Sequence, residues 1–167
     1  MSFLLKKIKV HSLKQPKTLA IDSDKFKISY QSMWKLIQSF SNFIVSKNLN
    51  QKIVIMGDIK SLSYLAILSC IYSGVTYIPI SHNTPKKRLN EIIKISRSKL
   101  ILNFSKKKFV SLKNTKVINI DNLDFFENLK KKKKLQRKEN KIIYIIFTSG
   151  STGDPKGVCI SKKSLDH

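Results

Sequence analysis

Apolar residues recur along this chain with two periods, and the changes from one to the other mark out its elements. From Thr18 to Asp22 apolar and polar positions alternate as in a short strand, Ser23-Asp24-Lys25 supplies a turn, and Lys27-Ile28 begins the return. The pattern predicts a small hairpin. Met33, Ile37, Phe40 and Ile44 then recur at helical spacing, with Trp34 and Phe43 widening the stripe. This predicts an amphipathic helix over 30–47 with Ser29 as its N-cap. Ile53 to Met56 is a wholly apolar strand ending at Gly57-Asp58, an apolar helix over 62–72 breaks at Gly74, and Val75 to Ile80 reads as the next strand. Strand, helix and strand at this length form a βαβ unit, which implies a parallel sheet and a right-handed crossover.

Pro85, after Thr84, is placed as the first residue of a helix running to Arg97, with Leu89, Ile92, Ile93 and Ser96 on one face. Leu100 to Asn103 and Val117 to Ile120 are two further short strands, and residues 122–129 read as an acidic-aromatic turn of helix. The run from Ile142 to Phe147 is β-branched and aromatic, broken only by Tyr144, which predicts a strand buried on both faces. Val158 to Ser161 is one more short strand, and a helix starts near Ser164. The fold class is therefore α/β, a partial parallel-rich sheet with flanking helices.

Composition narrows the picture without redirecting it. With 167 residues, 41% of them hydrophobic, the chain can bury one ordinary core. Its 33 Lys+Arg against 10 Asp+Glu give a formal charge of +23, a field that attracts any polyanion. No nucleic-acid-binding motif accompanies that charge, and lysine filling exposed positions explains it without a specific nucleic-acid partner. The run Lys130 to Lys134 lies in a basic exposed connection over 121–140; like charges in a block repel and stay solvated. The rival reading of that block is a nucleic-acid or anionic-membrane patch. Cys70 and Cys159 are far apart, lack metal-ligand spacing and read as reduced core cysteines of a cytoplasmic protein. The apolar start at Phe3-Leu4-Leu5 is too short for a signal peptide. The apolar stretch from Leu62 to Ile80 carries Ser63, Ser69, Ser73, Gly74, Thr76 and Pro79, so no membrane span is expected.

The candidate chemistry sits where the last long strand gives way to Thr148, Ser149, Gly150, Ser151, Thr152, Gly153, Asp154, Pro155 and Lys156. Small hydroxyl residues and glycines offer many backbone N–H and side-chain O–H donors with almost no bulk, which suits an anionic phosphate. Gly150 and Gly153 permit close backbone approach, Pro155 stiffens the exit, and Lys156 adds a mobile positive charge. The P-loop of the NTPases is the obvious comparison, and it fails. Counted from Gly150, Pro155 stands where that pattern needs glycine and Gly157 where it needs a hydroxyl. A plain Gly/Ser turn between strands is the unadorned alternative.

The run from Thr148 to Val158 resembles the signature of the adenylate-forming enzymes, the superfamily of acyl-CoA synthetases, luciferases and amino-acid adenylation domains, and departs from it nowhere. Three other stretches resemble amino-acid adenylation domains: Ile28-Ser29-Tyr30 leading into a helix, Tyr72 to Ile80 ending in Tyr-Ile-Pro-Ile, and Thr84 to Leu89 with its Pro-x-x-Arg-Leu. Ser73 and Ser81 depart from the second of these, standing where those domains usually have Ala and Asp. Arg88, in the third, could meet an anion or, more ordinarily, form a structural ion pair. The stretch Lys156 to Ser161 is similar to the D-alanine-carrier protein ligases in particular.

The resemblance implies the first part of the large N-terminal domain of an adenylate-forming enzyme, with residues 1–167 an incomplete portion of an AMP-binding domain. It implies ATP and Mg2+ as cofactors, with ATP phosphates at Thr148, Ser149, Gly150, Ser151, Thr152, Gly153 and Lys156. The magnesium-holding acid, the acid-substrate pocket and the C-terminal catalytic lysine belong to the part of such enzymes that has no counterpart here, so no catalytic or metal residue is assigned. The implied reaction is AMP-forming activation of a carboxylic acid, most simply an amino acid, followed by transfer to the phosphopantetheine thiol of a carrier protein, or to CoA. An acyl-CoA synthetase fragment, and a non-catalytic truncated or split reading frame with incidental polyanion binding, are the alternatives.

Overall fold

The computed structural model describes residues 2–47, 52–57, 61–108, 114–129, 140–149 and 154–165. A helix precedes everything the periodicity predicted: α1 (Phe3–Lys14), capped by the Ser2 hydroxyl, which accepts from the Leu5 N–H at 3.5 Å. It buries Leu5, Ile8 and Ser12 against the next helix. The hairpin β1 (Leu19–Ser23) and β2 (Phe26–Ser29) follows, then α2 (Tyr30–Ser46), whose Ser29 cap accepts from the Ser32 N–H at 3.3 Å as expected.

The main sheet holds six strands: β3 (Lys52–Met56), β4 (Thr76–Ile80), β5 (Leu100–Asn103), β6 (Lys116–Asn119), β7 (Ile142–Ser149) and β8 (Pro155–Ser161). Their spatial order is β6-β5-β3-β4-β7-β8, parallel throughout except for β8, which returns antiparallel on β7. Helix α3 (Ser61–Ser73) links β3 to β4, and α4 (Lys86–Ser96) carries the chain from β4 back to β5 on the far side of β3. Short turns α5 (Asp124–Glu127) and α6 (Lys162–Leu165) complete the list of described helices. Among the described residues no helix is long and apolar enough to cross a membrane.

Two apolar layers clamp the sheet. On one face Ile53, Ile55, Tyr77, Leu100 and Leu102 meet α1, α2, α3 and α5, with Phe40 wholly buried at the centre. Phe40 packs at 5.5 Å from Phe43 and 4.6 Å from Phe126, so an aromatic cluster ties α2 to α5. On the other face Val54, Met56, Ile78, Ile80 and Ile101 meet Leu89 and Ile92 of α4. The serines that argued against a membrane span have buried duties. The Ser41 hydroxyl donates to the Ser69 carbonyl at 2.9 Å across the α2–α3 contact, and Ser69 and Ser73 donate back to their own helix at 2.6 and 2.8 Å.

Four expectations need correction. Pro85 is not the first residue of α4 but its N-cap: it is extended at ψ 142°, and its carbonyl accepts from the Leu89 N–H at 2.9 Å. A residue without an N–H loses nothing at that place. Arg97 lies outside the same helix, in a left-handed conformation at φ 56°. The strand β7 is not buried on both faces, since Ile142 is 36% and Ile146 43% exposed. It lies next to the edge strand, and the face carrying Ile146 and its partner Val158 is left open. Cys159, on the edge strand β8, is exposed as well, whereas Cys70 is buried as expected. The block 130–134 lies outside the described residues.

Candidate phosphate-binding hairpin

Strand β7 enters beside β4 at a fixed height. The Thr76 hydroxyl donates to the Ile142 carbonyl at 2.8 Å and accepts from the Asn140 amide at 3.1 Å, while Tyr77 and Tyr144, partners in the ladder, stack at 5.4 Å. Burial pushes the Tyr77 hydroxyl well above the ordinary phenol range, with Cys70 and Tyr144 adding to the effect, so Tyr77 stays neutral. Burial alone does the same to the Cys70 thiol, which makes it an inert packing residue.

From that anchor the ladder can be counted upward. Tyr77 opposite Tyr144 places Ile80, the last residue of β4, level with Phe147. Thr148 and Ser149 therefore project past the carboxyl edge of β4 by about 7 Å, at ~3.3 Å per residue. Both are exposed. The chain returns through Pro155 opposite Ser149 and Lys156 opposite Thr148, with the Thr148 hydroxyl donating to the Lys156 carbonyl at 3.4 Å. Strand alternation puts Thr148 and Lys156 on the same face as Ile146 and Val158, and Ser149 on the face that α4 covers lower down.

The structure thus brings Thr148, Ser149 and Lys156 together at the top of one hairpin. Gly150, Ser151, Thr152 and Gly153 lie outside the described residues. Sequence reasoning began β8 only at Val158; the structure starts it at Pro155, so the return is a paired strand from its first residue.

Gly157 lets β8 lie close against the side chains of β7. A Cβ there would stand 3.0 Å from Ile145 Cγ2 and 3.2 Å from Phe147 Cζ, so the Phe147 ring lies across the bare backbone of β8. Gly157→Val is expected to lower stability by about 1–3 kcal/mol through overpacking. Urea denaturation checks this, and an unchanged midpoint would remove the contact from the account.

The hairpin stands beside a crevice. Helix α3 leaves β3 toward one face and α4 leaves β4 toward the other, so the two connections diverge at the carboxyl ends of neighbouring strands, where open α/β sheets take ligands. Gly57 lines this edge at φ 140°, its N–H donating to the Ile80 carbonyl at 3.1 Å, and a Cβ there would meet the Phe104 backbone at 3.1 Å. Asn103, wholly buried at the end of β5, donates to Asn119 at 2.7 Å and accepts from the Ser105 hydroxyl at 2.7 Å. Sequence reasoning missed both as organisers of this edge; the Gly directly after an apolar strand was the available signal. Arg88 is half-buried, and among the described residues no acid forms an ion pair with it. No group of three or more His, Cys, Asp or Glu among the described residues could hold a metal ion.

Comparison with known proteins places this geometry in a class. Residues 8–165 match the AMP-binding enzyme family, and the chain belongs to it. Among curated relatives it is 30% identical over 170 residues to a D-alanine--D-alanyl carrier protein ligase of Bacillus licheniformis, a match covering 97% of this chain and 33% of that protein. It is 28% identical over 157 residues to the nonribosomal peptide synthetase verP of Clonostachys rogersoniana, covering 90% of this chain and 8% of that one. The chain thus spans about a third of the length of the carrier protein ligases it matches. Among solved structures, the N-terminal subdomain of Klebsiella oxytoca NpsA in complex with 3-hydroxybenzoyl-AMSN superposes with a TM-score of 0.78 at 18% identity, covering 98% of this chain and 42% of that one. VinN in complex with L-aspartate gives 0.77 at 17% identity, covering 94% and 47%. These likenesses fix the fold as the start of the N-terminal subdomain of an adenylate-forming enzyme.

Proposed function

We propose that the β7–β8 hairpin holds the phosphates of ATP for AMP-forming activation of an amino acid, in a protein of which these residues form the first part of the AMP-binding domain. The observation that carries the reading is the position of the motif. The hydroxyls of Thr148 and Ser149 and the ammonium of Lys156 stand exposed on a hairpin that overshoots the carboxyl edge of a parallel sheet, beside the crevice. In this reading Thr148, Ser149, Ser151 and Thr152 supply hydroxyl donors, Gly150 and Gly153 let the backbone approach, and Lys156 neutralises phosphate charge. Mg2+, when bound, shares the charge of the phosphates; its protein ligand belongs outside these residues. A substrate carboxylate oxygen bonds to the α-phosphorus while the bond to the β-phosphate oxygen breaks and pyrophosphate leaves. The acyl group then passes to a phosphopantetheine thiol on a carrier protein, with release of AMP. Of the stretch 121–140, residues 124–127 are the turn α5, which packs Phe126 into the core, and residues 130–139 lie outside the described residues.

D-alanine is the first substrate to try, because the ligases that match most of the chain are named for it. The full-length protein with ATP, Mg2+ and hydroxylamine should give at least about ten-fold more hydroxamate with D-alanine than with L-alanine or a fatty acid. Hydroxamate from fatty acids alone would defeat the amino-acid reading while leaving ATP use intact.

A further inference from the structure

Ten large hydrophobic residues among those described are exposed, and four of them, Phe3, Leu4, Val10 and Leu13, fall on the single helix α1. Leu13 is the most exposed of all at 72%, and Val10 is 44% exposed. At about 100° per residue, Leu13, Val10 and Phe3 share one arc of the helix, opposite the buried Leu5, Ile8 and Ser12. Lys6 lies within that arc, Lys9 flanks it on one side and Lys7 and Lys14 on the other, all exposed. The Lys7 ammonium stands 5.3 Å from the centre of the Phe3 ring. No acid occurs anywhere in the helix.

We propose that this arc of α1 seats the protein on an anionic lipid bilayer, with Val10 and Leu13 entering the interface and Lys6, Lys7, Lys9 and Lys14 reaching the headgroups. Charge decides between occupants. A second copy would set Lys6, Lys7, Lys9 and Lys14 against their own counterparts with no acid in the helix to pair them, so self-association through this face is disfavoured. A protein groove would take a continuous apolar stripe, whereas here Lys6 interrupts the stripe. A bilayer accepts that arrangement, since lysine stems lie along apolar surface while their heads rise to phosphate. Delocalised attraction between a basic protein and anionic lipid is the competing explanation, and it makes no use of Val10 or Leu13.

The test is co-sedimentation of the full-length protein with vesicles of phosphatidylcholine, alone or with 30% phosphatidylglycerol by design. The parent should partition at least about ten-fold more strongly onto the anionic vesicles. Val10→Ser with Leu13→Ser keeps every charge and should lose at least about ten-fold of that partitioning, while Tyr64→Ser with Ile95→Ser, exposed apolar positions on other helices, should lose almost none. Equal melting temperatures confirm that all three proteins are folded. Should a variant melt early, Lys6→Gln with Lys14→Gln, exposed positions within and beside that arc, replaces it and should weaken binding likewise. Parent-like binding by the Val10/Leu13 variant, an equal loss in the control pair, or no binding by the parent would overturn the proposal. Capture of an acidic protein by α1 without vesicle binding would do so as well.

Discussion

Ser149→Ala combined with Lys156→Ala is expected to reduce amino-acid-dependent ATP–pyrophosphate exchange by the full-length protein by at least about 10²-fold, the scale on which one oriented donor to a charged transition state is felt. Stability should hardly move. Both residues are exposed, and both sit at the last rungs of the hairpin, where backbone pairing with Pro155 and Thr148 survives the change. Among the described residues neither side chain makes a hydrogen bond or an ion pair. A loss of exchange with an unchanged melting temperature is the expected result; exchange near the parent rate would refute the assignment of these groups to phosphate.

Phe40→Ala is expected to have the largest effect on folding. The ring is fully buried, and its neighbours Phe43, Phe125 and Phe126 come from two different elements, so no small shift can refill the space. Removing it should cost about 3–5 kcal/mol, a large part of the ~5–15 kcal/mol that holds an ordinary domain together. Chemical denaturation followed by circular dichroism gives the number, and a loss under about 1 kcal/mol would mean that the aromatic cluster is not the centre of the core. The same substitution should affect catalysis only through the folded fraction.

The strands and the three long helices between β2 and β5 were legible because each carries a period set by burial on one or two faces. Ile53 to Met56 reads as buried on both sides and is. The stripe Met33, Ile37, Phe40, Ile44 is the buried face of α2 without exception. Helix α1 was not legible. Its buried set is Leu5, Ile8 and Ser12, one of the three polar, while Phe3, Val10 and Leu13 blur the stripe by standing outside. Those same exposed residues are the ground for a bilayer-facing role, so the failure of the pattern and the inference have one cause.

The exposure of β7 was illegible for a different reason. An apolar run reports what a strand is suited to face, not whether the covering element lies within the same stretch of chain. Ile146 and Val158 stand side by side on the open face of the sheet, and their partners in the ladder cannot cover them. Cys159 was misread for a related reason: its strand is the edge of the sheet, which its own sequence does not announce. At the candidate site, the types of residue were legible from the motif alone, but not their arrangement. The pairing of Thr148 with Lys156 across a hairpin, and the reach of both past Ile80, come from the register of β4 on β7, which distant residues set.

The central claim is that the β7–β8 hairpin meets ATP phosphates, and thermal unfolding tests it without reference to any acid substrate. The account predicts that a non-hydrolysable ATP analogue with Mg2+ raises the melting temperature of the parent protein, by the shift that binding to the folded state alone requires, about 2.7 kcal/mol at a hundred times Kd. The Ser149→Ala, Lys156→Ala variant should show little of that shift. An equal rise in parent and variant would contradict the claim, because the nucleotide would then be held somewhere other than this hairpin.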